Sequence, residues 1–424
     1  MKSKLQRIFL IVSCIASLTA SAQYCTSDNR FTEQIVFAST KIKSYDNVVY
    51  GSATDWHGNT QSLTMDIRMP KPLYDSYTKI PFILLIHGGS FQSGKKEDMD
   101  NSCIYFAERG YVAASINYRL GWDSLSCGDT LTYYKAVYRA LQDANAALRF
   151  IVANASTYKV DTNWIFVGGE SAGSGTALGL VYYSQAELNQ AFPPVHTLLG
   201  NLNNSGNSLT NQFTIKAIFN NWGGIYEQFY DNSDVKPMIS FHGDNDGVVP
   251  IDSALDISCL TVKPMMWGSR TLYNKAVSLG ICSDLSVKHY GGHGVYNRNK
   301  NSTNFRIGRA ACFFKSLFCN TCSDFYSLDS IPANCSQTQS PQRLGDEQEF
   351  SSFKIYPNPA TASLFIQPEE SAQKFTAEVY NTMGARLMQN ENPETIDISS
   401  LKPGIYLLIL KSEGTIITKK FVKE

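Results

Sequence analysis

The sequence has no excess of either charge: 37 Lys and Arg stand against 37 Asp and Glu in 424 residues. Without a basic surplus there is no electrostatic footprint for nucleic acid or an anionic membrane surface, so neither is expected as a partner. Charge is also sparse, at 17% against 43% apolar residues, which excludes a disordered chain or a coiled coil. Beyond residue 22 no apolar run reaches the ~18 residues that cross a bilayer as a helix, so no stable membrane span is expected. Histidine is scarce too, with six in the chain. A search for a proton-transfer site therefore has few positions to consider.

At the N-terminus stand Lys2, Lys4 and Arg7, then an apolar stretch over 8–18, then Ala20-Ser21-Ala22. Residues 1–22 read as a secretory signal, and their loss leaves the remainder slightly acidic. Ile11-Val12-Ser13-Cys14 loosely matches a lipidation box, but the apolar run before it is very short. Nine cysteines follow, at 25, 103, 127, 259, 282, 312, 319, 322 and 335. So many in an exported chain predict several disulfides with one thiol left over. Proximity suggests Cys103 with Cys127 and Cys259 with Cys282. Cys319-Asn-Thr-Cys322 lacks the second pair or the nearby histidine of a zinc site, so disulfide bonding is expected there and no metal.

From about residue 46 to 322, short β-rich runs alternate with helical stretches. Residues 48–52 and 62–68 read as an opening strand pair, and 81–86 is a continuous apolar run suited to a buried strand. Further strands are expected at 111–118, 164–168, 215–219, 238–242 and 285–289, with a long helix over 134–154. This alternation predicts an α/β fold, a mostly parallel sheet with helices on both faces, across 23–322. Residues 186–213 break the rhythm and read as a loop or small cap. Residues 323–352 read as a linker, and 353–424 as a small all-β, sandwich-like domain.

Gly169-Glu170-Ser171-Ala172-Gly173 follows an expected strand and precedes a helical run. A turn that sharp strains the central residue and lifts its hydroxyl above the sheet at a helix N-terminus. A serine needs a base and an orienting acid, in the chain order Ser, Asp, His for such a turn. Of the histidines, His57 and His87 precede the serine, His196 falls in the cap region, and His289 sits in a strand pattern. His293, in Gly291-Gly292-His293-Gly294, is the expected base. The acid is expected in His242-Gly243-Asp244-Asn245-Asp246-Gly247, with Asp246 preferred and Asp244 the fallback. That run lacks the spaced oxygens and closing Glu of a calcium loop. Gly88 and Gly89, in His87-Gly88-Gly89-Ser90, are placed to turn backbone N–H groups inward and form an oxyanion hole with the N–H of Ala172. The stretch 221–226, Asn-Trp-Gly-Gly-Ile-Tyr, either lines a pocket or packs beneath the cap.

In these motifs, in this order, the chain resembles the α/β-hydrolase superfamily over about residues 40–320. Within it the likeness is to bacterial carboxylesterases of the His-Gly-Gly type, including the feruloyl and acetyl-xylan esterase-like group. The resemblance implies Ser171 as nucleophile, Asp246 and His293 as its partners, and Gly88, Gly89 and Ala172 as oxyanion donors, with no cofactor. Ser90 stands where many relatives carry a third glycine, which leaves open which of residues 88–90 donates.

Residues 353–424 resemble the type A sorting domain of the type IX secretion system. The likeness is carried by Tyr356-Pro357-Asn358-Pro359, Tyr380-Asn381-Thr382-Met383-Gly384, Leu401-Lys402-Pro403-Gly404-Ile405-Tyr406 and the basic end Lys419-Lys420-Phe421-Val422-Lys423. It implies export to the cell surface or the medium, with the secretion machinery as partner. The expected function is hydrolysis of short-acyl or polysaccharide-linked esters. The alternatives are a serine peptidase of the same fold and an inert glycan- or partner-binding surface protein. Against the peptidase, only about 20 residues separate the signal from the catalytic region, too few for a propeller.

Overall fold

The computed structural model describes residues 23–123, 130–255, 265–297, 299–329, 335, 353–368, 374–381, 386–412 and 415–424. The expected signal at 1–22, most of the expected linker, Cys127 and Cys259 lie outside these residues. The chain divides into two compact units, residues 1–342 and 343–424.

Along the first unit run β1 (Ile42–Thr54), β2 (Thr60–Pro70), β3 (Ile80–Ile86), β4 (Val112–Ile116), β5 (Val160–Glu170) and β6 (Ile215–Asn221). They are followed by β7 (Ile225–Tyr226), β8 (Met238–Gly243), β9 (Ser253–Leu255), β10 (Met265–Trp267), β11 (Ser283–Lys288) and β12 (Phe325–Leu328). Nine of these form one sheet in the order β1-β2-β4-β3-β5-β6-β8-β11-β12. The β1/β2 and β2/β4 pairs are antiparallel. Every later pairing is parallel, so the C-terminal ends of β3, β5, β6, β8 and β11 share one edge.

The sequence of β3, Ile-Pro-Phe-Ile-Leu-Leu-Ile, is apolar throughout because both faces of the sheet are covered. Phe82, Leu84 and Ile86 enter one core and Ile83 and Leu85 the other. Each such side chain contributes about 1.5–3 kcal/mol of burial. The described helices are α1 (Asp100–Glu108), α2 (Thr130–Ala153), α3 (Ala172–Tyr182), α4 (Gln185–Ala191), α5 (Pro193–Leu199), α6 (Ser269–Ser278) and α7 (Lys300–Phe318). Helix α2 brings Ala136, Ala140, Ala144, Ala147 and Ile151 to the first core. Helix α7 brings Ile307, Ala310, Ala311, Phe314 and Phe318 to the second.

The irregular stretch around 186–213 contains α4 and α5 and is tied to α2. Arg119 pairs with buried Asp143 at 2.7 Å and reaches Ser205 Oγ at 3.1 Å. Gln142 donates to the carbonyls of Leu199 and Asn201. Ser184 caps α4 by accepting from the Glu187 N–H, and Pro193 opens α5.

Two expectations are corrected. Phe325–Leu328, read as the start of a linker, is instead a sheet strand paired parallel to β11. Four residues among Ser and Asp carry too little pattern to show as a strand. The cysteine pairs inferred from proximity also fail. Cys282 bonds Cys322, Cys25 bonds Cys319 and Cys312 bonds Cys335, while Cys103 is a free thiol buried in α1. Spatial neighbours across the end of α7, not sequence neighbours, determine these bonds. Glu33 lies beside the Cys312–Cys335 pair, whose sulfurs are already committed to each other.

The second unit begins with β13 (Phe353–Tyr356), β14 (Ser363–Pro368), β15 (Phe375–Asn381) and β16 (Arg386–Glu391). It ends with β17 (Thr395–Asp397), β18 (Gly404–Ser412) and β19 (Thr415–Lys423). They form a three-stranded sheet, β13-β14-β17, and a four-stranded sheet, β16-β15-β18-β19. Leu364, Ile366, Ala377, Val379, Leu408 and Phe421 from the two sheets share one core. Among the described residues, no helix is long and apolar enough to cross a membrane.

Candidate active site

Ser171 occupies the turn between β5 and α3 with φ 53° and ψ −120°. A non-glycine residue held there costs about 1–3 kcal/mol, which its surroundings must enforce. Two glycines make the turn sterically feasible. A Cβ on Gly173 would stand 2.0 Å from the Ile86 carbonyl oxygen, and one on Gly169 would stand 2.5 Å from that same oxygen. The Ser171 N–H donates to the Asn221 carbonyl at 3.0 Å, and Asn221 Nδ2 donates to the Gly169 carbonyl at 2.7 Å. Both ends of the turn are thereby fastened to the end of β6.

The structure brings Ser171, His293 and Asp246 together from the loops after β5, β11 and β8. His293 Nε2 lies 2.8 Å from Ser171 Oγ, and His293 Nδ1 lies 2.8 Å from Asp246 Oδ2. An ionised carboxylate only accepts, so Nδ1 carries the proton and a neutral His293 presents a bare Nε2 to the serine hydroxyl. The Asp246 side chain is fully buried, while that of His293 is 25% exposed. Burial pushes the Asp246 carboxyl upward. Hydrogen bonds from His242, His293 and the Val248 N–H outweigh that and hold it well below the usual carboxylate range.

The fallback acid is engaged elsewhere: Asp244 Oδ2 lies 2.7 Å from His289 Nδ1. Of the remaining histidines, His196 bonds Asn201 and His57 lies against the Trp56 ring at 4.3 Å, both away from Ser171 in sequence and in bonding. His242 is buried beneath Asp246.

Gly88 adjoins the serine: a Cβ there would lie 3.2 Å from Ser171 Cβ and 2.9 Å from the Glu170 carbonyl oxygen. Gly89 has φ 109°, in the region that favours glycine. His87 is buried and stacked on Tyr118 at 4.4 Å, and burial holds its imidazole below the ordinary value. Its Nδ1 lies 2.7 Å from the Gly88 carbonyl and must be the donor, while Tyr118 O–H donates to the His87 carbonyl at 3.0 Å. In a trans peptide the N–H points opposite the C=O, so these two bonds aim the Gly88 and Gly89 N–H groups away from His87 and Tyr118. The Ala172 N–H is at the first turn of α3, where helix amides have no partner within the helix.

Sequence reasoning passed over Arg306. Fully buried on α7, it pairs with Glu170 at 2.8 Å and donates to Asn221 Oδ1, Asn297 Oδ1 and the Tyr296 carbonyl. Its guanidinium sits 5.0 Å from the ring of Trp222, which is buried and meets His293 edge to face at 6.3 Å. Within 221–226, Trp222 thus packs against Arg306 and His293, while Tyr226 joins Leu188 of α4 and Val195 of α5 in one apolar cluster. The available signal for Arg306 was an arginine four residues before Ala310, on the apolar stripe of α7.

Residues 65–225 match the BD-FAE family model, and residues 354–424 match that of the secretion system C-terminal sorting domain. A neuroligin-like protein of Caenorhabditis elegans is 33% identical over 115 residues, 27% of this chain and 15% of the relative. Carboxylesterase 3B of Mus musculus is 33% identical over 112 residues, 26% of this chain and 19% of the relative. The chain spans between 15% and 23% of the length of these and the other curated relatives it matches. Among solved structures, the thermophilic esterase Est2 of Thermogutta terrifontis with propionate bound has a TM-score of 0.46 at 18% identity, covering 67% of this chain and 96% of that one. The first unit has the mostly parallel, helix-covered sheet expected of an α/β-hydrolase, and the second is a small antiparallel β unit.

Proposed function

We propose that this chain, an α/β-hydrolase domain of the BD-FAE type followed by a type IX secretion sorting domain, is an exported serine carboxylic-ester hydrolase. The observation that carries the proposal is the continuous Ser171–His293–Asp246 hydrogen-bond chain, 2.8 Å at each step.

In this reading His293 Nε2 takes the Ser171 proton as Oγ attacks the ester carbonyl, and buried Asp246 stabilises the imidazolium that forms. The N–H groups of Gly88, Gly89 and Ala172 receive the oxyanion, each worth about 3–4 kcal/mol in comparable sites. His293 then protonates the leaving alcohol, and water activated by the same imidazole releases the acid. No step requires a group beyond these residues. Short-acyl or polysaccharide-linked esters are the proposed substrates, and residues 1–22 with the sorting domain route the protein to the cell surface or beyond.

The aligned Ser171–His293 contact favours an enzyme over an inert binding protein, which has no use for a bare imidazole nitrogen against a strained serine. Hydrolysis of p-nitrophenyl esters from acetyl to decanoyl, by wild type and Ser171→Ala, tests the reading. Activity that falls with acyl length and vanishes in the variant supports it. A folded wild type inactive on every ester overturns it.

A further inference from the structure

His242, the first residue of the motif that supplies Asp246, has no part in the proton transfers above, yet it is 0% exposed and lies against the acid. Its Nε2 is 3.2 Å from Asp246 Oδ2 and 3.0 Å from the Val249 carbonyl. Its Nδ1 is 2.7 Å from Ser269 Oγ at the start of α6. Ser269 Oγ is in turn 3.0 Å from Asn220 Nδ2, and Asn220 Oδ1 accepts from Ser174 O–H at 2.7 Å and from the Gly223 N–H at 3.1 Å. Ser174 sits three residues after Ser171, in the first turn of α3. Asn220, Ser174 and Ser269 are likewise 0% exposed.

Most of the donors in this buried chain have one consistent direction. The Gly223 N–H only donates, so the atom of Asn220 facing it is the oxygen, and the Asn220 amide nitrogen faces Ser269. That nitrogen only donates, so Ser269 Oγ accepts from it and keeps its second lone pair and its own proton for His242 Nδ1. The Val249 carbonyl only accepts, so His242 Nε2 carries a hydrogen. The outcome is an N–H that donates to the Val249 carbonyl and lies 3.2 Å from the same Asp246 oxygen that serves His293. The other oxygen, Oδ1, accepts from the Val248 and Val249 N–H groups at 2.8 and 3.1 Å.

We propose that His242 is a positioning residue for Asp246, its ring held by Ser269, Asn220 and the Val249 carbonyl, so that the acid is held in register with the helix that follows Ser171. This rests on Asp246 being the acid of the site proposed above. Substrate is not touched, so the effect falls on turnover and not on binding.

The experiment uses the full chain with His242→Leu, His242→Gln, Ser269→Ala and Ser171→Ala. It reads kcat and KM on p-nitrophenyl acetate, the rate of covalent labelling by a fluorophosphonate, and the melting temperature. His242→Leu is expected to lower kcat and the labelling rate about 10- to 100-fold with KM within about twofold, the scale of one lost charge-assisted hydrogen bond and a misaligned base. Gln carries an N–H close to the Nε2 position and is expected to recover most of the loss. Ser269→Ala, which removes the partner that orients the ring at Nδ1, is expected to fall between Leu and wild type. Leu and Gln variants that melt like wild type and are equally slow, or a Leu variant as fast as wild type, overturn the proposal. Should His242→Leu fail to fold, Ser269→Ala with unchanged kcat overturns it. Loss of activity in Ser171→Ala beside an unaffected His242→Leu removes this inference alone. A wild type that neither hydrolyses the ester nor is labelled at Ser171 removes the proposed function and this inference with it.

Discussion

Asp244 and Asp246, separated by one residue on the loop after β8, face different histidines: Asp244 bonds His289 Nδ1 and Asp246 bonds His293 Nδ1. Only the second histidine reaches Ser171. Two acid–imidazole pairs thus lie side by side, and the proposed chemistry runs through one. Asp246→Asn is expected to lower kcat by about 10³- to 10⁴-fold, because an amide no longer fixes the Nδ1–H tautomer of His293. Asp244→Asn is expected to change it by less than about tenfold, since that pair is partly exposed and outside the proton path. Steady-state kinetics on one activated ester distinguishes the two, and equal losses contradict the assignment.

Asp246 also gives stability a pH dependence. Its folded-state carboxyl is held below the unfolded value, so its contribution is present in full above pH ~4 and is lost as pH falls below that. The gap between the melting temperatures of wild type and Asp246→Asn is expected to be the same at pH 7 and 5 and narrower at pH 3. A gap that stays constant down to pH 3 contradicts this.

Gly173→Ala brings a Cβ to within 2.0 Å of the Ile86 carbonyl oxygen, a contact between two backbone segments that no rotamer relieves. A loss of about 3 kcal/mol or more is expected, measurable by denaturant unfolding. Gly247→Ala meets nothing within 4 Å and serves as the control.

Arg306, fully buried, and Glu170, 15% exposed, form a pair whose separate removal leaves an uncompensated charge. Arg306→Met is expected to destabilise by about 3–5 kcal/mol, and adding Glu170→Gln to recover part of that loss. Strict additivity in this cycle contradicts a coupled pair.

Burial pushes the Cys103 thiol up to about 12, so the native protein has no reactive thiolate there near neutral pH. Cys103→Ser is expected to leave the native thiol titre unchanged and to lower the denatured titre by one. A native titre that falls with the substitution places the thiol within reach of solvent.

Every strand of the large sheet except β12, and the three side chains that meet at its edge, were legible because each leaves a local mark. A continuous apolar run such as β3 means a strand buried on both sides. A serine between two glycines means a turn with no room for Cβ. What was not legible depends on contacts between distant segments. Arg306 lies 136 residues from its partner Glu170, and Cys25 lies 294 residues from Cys319, so neither pairing has a sequence signature. β16 and β17 escaped notice because Arg386–Glu391 is largely exposed and Thr395–Asp397 has three residues. His242 was visible within its motif, but its role depends on Ser269 and Asn220, which no local pattern connects to it.

The central claim is that Ser171 is acylated during turnover. Mixing the full chain with p-nitrophenyl acetate, quenching in acid within the first turnovers and mapping the peptides by mass spectrometry tests it directly. The account predicts one acetyl group on the peptide containing Ser171, a burst of p-nitrophenol matching it in amount, and its absence from Ser171→Ala. Turnover of the ester with the acetyl group on another residue, or undiminished in Ser171→Ala, contradicts the account.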